Sequence, residues 1–132
     1  MSSTQRMVVF SRDRGFPTPG TKAVELGFEK SAGSSTVGVA VDRTTITGHP
    51  SRYVWTYTGT GETYTAGVGV LRSALTGRYR IRGNRRIDTA EGHVTGGLGG
   101  YAGVTGTFTS TGNNRVGARV ATYVVHSTLV FP

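Results

Sequence analysis

The chain has 132 residues, no cysteine, and a net charge of +8 from 15 Lys and Arg against 7 Asp and Glu. That length suits one domain, residues 1–132, with enough core to need no staples, and the lack of cysteine excludes disulfides, thiolate metal sites and cysteine nucleophiles. No long apolar run precedes the first charged residues, so a secretory signal and a membrane span are not expected and a cytoplasmic location is.

Short runs of Val, Thr and Tyr punctuated by glycine fill the chain, and their period of two marks antiparallel β-structure. Residues 17–35 are the least β-like: two prolines, three glycines and the stretch SAGSS read as a long ordered loop with one turn of helix at most. Val37, Val39 and Val41 then share one strand face, with Gly38, Ala40 and Asp42 opposite. Gly48-His49-Pro50 is a strand break. Tyr53, Trp55 and Tyr57 share a face, and Thr58–Gly61 suits a hairpin turn. Tyr64, Ala66, Val68 and Val70 repeat the alternation, and Thr76-Gly77 marks a turn. Tyr79 and Ile81 oppose Arg78, Arg80 and Arg82. His93–Thr109, with six glycines, reads as strand, glycine bend, strand. Gly112-Asn113-Asn114 is another turn, and residues 115–131 are β-rich to the end. Seven or eight short strands without a long helix make a sandwich or a barrel. Small or moderately apolar residues on both faces favour a barrel with room inside for a ligand.

Gly97–Ala102 matches the G-x-G-x-x-A pattern, but a strand-like run, Val104–Thr109, follows where a dinucleotide site needs a helix. His49, His93 and His126 lack metal-ligand spacing, and the scattered acids form no glycosidase pair and read as solvated. His126 is either an interior acid/base or a structural residue. Tyr53, Trp55, Tyr57, Tyr64, Tyr79 and Tyr101 fit ordinary core packing or an apolar pocket with inward hydroxyls. Arg78, Arg80 and Arg82, followed by Arg85 and Arg86, are best placed on a solvated outer face. An anion or RNA platform there is the alternative, and the absence of an aromatic ladder on that face speaks against nucleic acid as a partner.

Residues 94–106, VTGGLGGYAGVTG, resemble the glycine signature of the allene oxide cyclase and dirigent-like β-barrels. Residues 77–83, GRYRIRG, are similar to the strand that precedes that signature, and residues 10–17, FSRDRGFP, resemble the Asp-Arg…Pro element near the start of allene oxide cyclases. The resemblance implies a closed antiparallel barrel of about eight strands, often a trimer or dimer, that needs no cofactor and binds apolar or phenolic substrates in its lumen. It also implies that Pro17 is retained from the family's site. Val8 and Phe10 stand where the family has a glutamate and an asparagine, Phe16 where it has a serine, and Arg85 where it has a lumen tyrosine. Allene oxide cyclisation itself is therefore not expected.

The expected function is a cofactor-free cyclase or isomerase of specialised, polyketide-type metabolism, closing rings by [4+2] or spirocyclisation on an apolar or anionic small molecule held in a reactive conformer. Arg85 is the expected electrophilic clamp, Tyr79 and Tyr101 the hydroxyl donors and His126 an acid/base, with Phe10, Pro17, Trp55 and Ile81 lining the substrate space. The alternatives are a non-catalytic small-molecule barrel and, last, an RNA binder acting through the Arg78–Arg86 face.

Overall fold

The computed structural model describes the backbone of residues 2–10, 17–31 and 37–132, and side chains within 17–30 and 37–132. Its strands are β1 (Ser2–Phe10), β2 (Lys22–Ser31), β3 (Val37–Ser51), β4 (Val54–Thr65), β5 (Gly69–Arg82), β6 (Arg85–Gly99), β7 (Thr105–Arg115) and β8 (Val120–Val130). Each runs antiparallel to its sequence neighbours. β1 also pairs with β8, from Ser2↔Thr128 to Phe10↔Val120, so the meander curls round into a barrel. The all-β, antiparallel expectation is borne out. No helix among the described residues is long and apolar enough to cross a membrane.

Several expected turns lie inside strands instead. Thr58–Gly61 is interior to β4, Thr76-Gly77 to β5, and Gly112–Asn114 to β7. Their glycines make room rather than bends. The Tyr57 ring lies across Gly77 and the Phe108 ring across Gly92, and a Cβ on Gly112 would sit 2.6 Å from Tyr123 Cδ1. These three inward rings thus rest on a neighbouring strand's bare backbone. Gly48-His49-Pro50 belongs to β3 and coincides with register shifts at Ile46/Gly48 and Gly48/Ser51, which act as bulges. The true β4–β5 turn is Thr65–Val68, closed by Val68 N–H donating to Thr65 O at 3.0 Å, with Gly67 at φ 74° as a type II turn requires. His93–Thr109 is strand, bend, strand, with the bend at residues 100–103.

The expected loop over 17–35 contains β2. Its alternation is inverted relative to a half-buried strand. Ala23, Glu25, Gly27 and Glu29 are paired with Thr44, Asp42, Ala40 and Gly38, the inward row of β3, while Val24, Leu26 and Phe28 are exposed outside. A reader looking for apolar-in, polar-out finds no strand there.

Parity is regular along β8 and the end of β5. Ala121, Tyr123, Val125 and Ser127 of β8 point in, as do Trp55 and Tyr79, and all six are buried. Arg78, Arg80 and Arg82 are exposed outside. The charges are consequently sorted: Glu25, Glu29, Asp42 and Asp88 face the interior with Arg86, whereas the other described cations lie on the outer surface or in the turns.

Candidate functional site

The interior site begins with a stack. The His49 ring lies 4.4 Å from that of Trp55, Trp55 lies 5.2 Å from Tyr79, and the Arg86 guanidinium sits 3.9 Å above the Tyr79 ring centre. The order follows from register: Trp55 is paired with Tyr79 across β4–β5, and Tyr79 with Asp88 across β5–β6. Trp55 Nε1–H donates to Pro17 O at 2.9 Å, and the His49 ring nitrogen lies 2.8 Å from Val54 O. Aromatic faces and a cation layered in this way fix the ring planes and hold Arg86 against the wall.

Arg86 then meets Asp88. Its NH2 lies 3.1 Å from Asp88 Oδ2, and Tyr57 O–H donates to Asp88 Oδ1 at 2.5 Å. Asp88 is buried at 4% accessibility, while the Arg86 side chain keeps 26%, so part of the arginine and almost none of the aspartate meets solvent. Burial, then the Asp88 charge, pushes the Tyr57 phenol well above the usual tyrosine range, and the same two causes raise Tyr123. Burial alone draws the Arg86 pKa down; Tyr123, Asp88, Tyr79 and Glu25 outweigh it and hold it up, so Arg86 stays charged. Arg86 Nε is buried with no hydrogen-bond partner among the described residues. An N–H donor kept dry and unused is costly unless something accepts from it.

The second part is a carboxyl cluster on the β2–β3 wall. Glu25 is directly opposite Asp42, and Glu29 stands four residues along β2 on the same face. Asp42 lies beside Gly61 of β4 and Ser73 of β5, where a Cβ on Gly61 would be 2.6 Å from Asp42 Oδ1 and 2.9 Å from Ser73 Oγ. Burial, reinforced by the charges of Glu25 and Glu29, pushes Asp42 up to about 7. Burial also raises Glu29, opposed by a hydrogen bond from Thr63, and raises Glu25, opposed by Arg86. Glu25 couples to both Asp42 and Arg86, which ties the cluster to the stack. A buried acid pushed up toward neutrality, facing the same interior as a guanidinium that reaches its neighbour Glu25, is an arrangement suited to moving protons on a bound molecule.

Of the residues expected from the sequence, Tyr79, Trp55, Ile81 and Pro17 meet at this end of the barrel: Ile81 is paired with Arg86, and Pro17 accepts from Trp55. Arg85 does not join them. It is directly opposite Arg82 across the two-residue turn Gly83-Asn84, so it shares that residue's outward face, where its Nε and NH2 donate to Asn113 Oδ1 and Asn113 O at 2.8 and 2.7 Å. The inward position is one residue on, at Arg86. His126 is exposed on the outer face of β8, because its neighbours Val125 and Ser127 take the inward row. Tyr101 sits in the β6–β7 turn at the opposite end, its ring 6.4 Å from Phe131 and its hydroxyl 3.4 Å from Thr65 Oγ1. Phe10 is paired with Leu26 in the backbone, but its side chain lies outside the described residues.

The acids Glu25, Glu29, Asp42 and Asp88, with Arg86, are the residues that sequence reasoning missed. One signal was present: Asp42 shares a face with Gly38 and Ala40, and in a small barrel the face of small residues is the inner one. Among the described residues no group of three or more potential ligands is placed to hold a metal ion. A scan against protein-family models found no match, and neither did searches of curated proteins and of solved structures.

Proposed function

We propose that this barrel is a cofactor-free isomerase or cyclase acting on a small carbonyl compound held in its interior. The observation that carries the reading is the carboxyl cluster around Asp42 facing the same interior as Arg86, whose Nε–H has no partner. The scaffold in this reading is of the allene oxide cyclase-like kind, with its acid–base groups moved from the first strand to β2 and β3. The homo-oligomer such a scaffold implies belongs to the same proposal, and exposed Val24, Leu26 and Phe28 offer it an apolar surface.

The chemistry follows from the groups. An Asp42 carboxylate takes a proton from the carbon next to a carbonyl, and that C–H electron pair forms the enolate. Arg86 Nε–H donates to the enolate oxygen, replacing water with a fixed donor. Protonated Asp42 returns the proton at a different carbon, giving an isomer, or the enolate carbon attacks a second carbonyl of the same molecule while Asp42 protonates the new alkoxide, closing a ring. Both routes leave composition and redox state unchanged. The stacked Tyr79 and Trp55 hold Arg86 in place, and Asp88 with Tyr57 anchors its other end.

A β,γ-unsaturated cyclohexenone is a suitable probe, since its conversion to the conjugated ketone is followed by ultraviolet absorbance. The wild-type protein should outpace an equal concentration of acetate, with a rate that rises through pH 7. Asp42→Asn should lose about a hundredfold or more, the usual scale for a general base. A wild-type rate equal to acetate, or an Asp42→Asn variant as fast as wild type, would favour a non-catalytic binding barrel instead.

A further inference from the structure

The outer surface at the turn end of β3–β8 carries arginines that the interior chemistry does not use. Arg82 is directly opposite Arg85, and Arg85 directly opposite Arg115, so three cations stand in one row across β5, β6 and β7. Arg80 and Arg78 continue from Arg82 along β5 on the same exposed face. Like charges directly opposite one another repel. Among the described residues none of the five is in an ion pair, the one found being Arg86–Asp88, and Arg85 bonds to the neutral Asn113. Among the described residues, the nearest outward acid along these strands is Glu91, on β6 two residues beyond Thr89, the partner of Arg78, and it makes no ion pair. An L-shaped set of unneutralised guanidinium groups persists at some cost to the fold.

An exposed aromatic ring stands at the same end of the barrel. Tyr53 is 47% accessible, and Arg52 lies 5.2 Å from its ring centre. Tyr53 O accepts from Ile81 N–H at 2.9 Å, which fixes the β3–β4 turn against the Arg80–Arg82 end of β5. Val116 N–H donates to Asn84 O at 2.8 Å and likewise fixes the β7–β8 turn against the β5–β6 turn. These bonds hold the β3–β4 and β7–β8 turns against the β5–β6 end, so the exposed ring and the cations stand at the same end of the barrel.

We propose that this surface binds single-stranded nucleic acid, with phosphates along Arg78, Arg80, Arg82, Arg85 and Arg115 and a base stacked on Tyr53. The guanidinium fork matches phosphate oxygens in pairs, and a cationic track beside an aromatic face is how single strands are held without sequence preference. An acidic protein or an anionic membrane would use the charge and not the ring, which separates the alternatives. The surface is outside the barrel and does not depend on the interior reading.

The test is fluorescence anisotropy with a labelled twelve-nucleotide oligouridine, titrated with the full chain at several salt concentrations. Five phosphate contacts predict a log–log salt slope of about −3.5. The triple variant R78Q/R80Q/R82Q, which relieves repulsion and should fold, is expected to bind at least tenfold more weakly at low salt with a slope flattened by about 2. Tyr53→Ala should bind about tenfold more weakly with an unchanged slope. No binding at low salt, or a triple variant that binds like wild type, overturns the proposal. So does a Tyr53→Ala variant that binds like wild type while polyglutamate or phosphatidylserine vesicles compete as well as the oligonucleotide.

Discussion

Replacing Asp42 by Asn should stabilise the protein above neutral pH and leave it unchanged in acid. Asp42 is held in the barrel wall with its pKa raised from 3.8 to about 7, first by burial and then by Glu25 and Glu29. Below about pH 4 the carboxyl is protonated in both folded and unfolded chains, so Asn, its neutral isostere, costs nothing there. As pH rises the unfolded chain releases this proton first, and the folded chain is penalised for retaining it. Stability therefore falls between about pH 4 and 7 and then levels off. Three pH units at ~1.4 kcal/mol each give roughly 4 kcal/mol as the ceiling for this one group. The assay is urea unfolding followed by the fluorescence of Trp55, the single tryptophan, at intervals from pH 4 to 8. The difference between Asp42→Asn and wild type should grow from near zero to a few kcal/mol. A difference that is flat with pH, or a variant less stable than wild type at pH 8, would refute the reasoning.

Three further outcomes are expected. Tyr57→Phe removes a donor to a buried carboxylate at 2.5 Å and should cost about 1.5–3 kcal/mol in the same unfolding assay. Arg86→Ala leaves Asp88 buried without its cation and should cost about 3 kcal/mol or more, whereas Arg85→Ala on the outer face should stay within about 1 kcal/mol of wild type by thermal denaturation. Gly112→Ala places a methyl against the Tyr123 ring and should cost about 1–3 kcal/mol, while Gly112→Ala combined with Tyr123→Leu should recover part of that loss.

The fold class was legible because most strands keep a clean period of two, as Arg78–Arg82 shows. β2 was not, because its acids face inward and its Val24, Leu26 and Phe28 face outward, reversing the pattern that marks a half-buried strand. The turns were misplaced for a related reason. Glycine in a β-chain signals either a bend or a ledge for a neighbour's ring, and only the cross-strand register tells Gly77, which carries Tyr57, from Gly67, which turns the chain. The aromatic half of the site was legible, since Trp55, Tyr79 and Ile81 stand on inward positions. The inward arginine was missed by a single residue: Arg85 and Arg86 are indistinguishable in sequence, and the two-residue turn at Gly83-Asn84 decides which one enters the barrel. The acids were read as solvated because a sequence gives no sign that a lumen is polar.

The most direct test of the interior site is a carbon-13 NMR titration of the Asp42 side-chain carboxyl in the folded wild-type protein. A midpoint near 7 is predicted. A midpoint near the ordinary value of 3.8 would contradict the acid–base reading of the barrel interior.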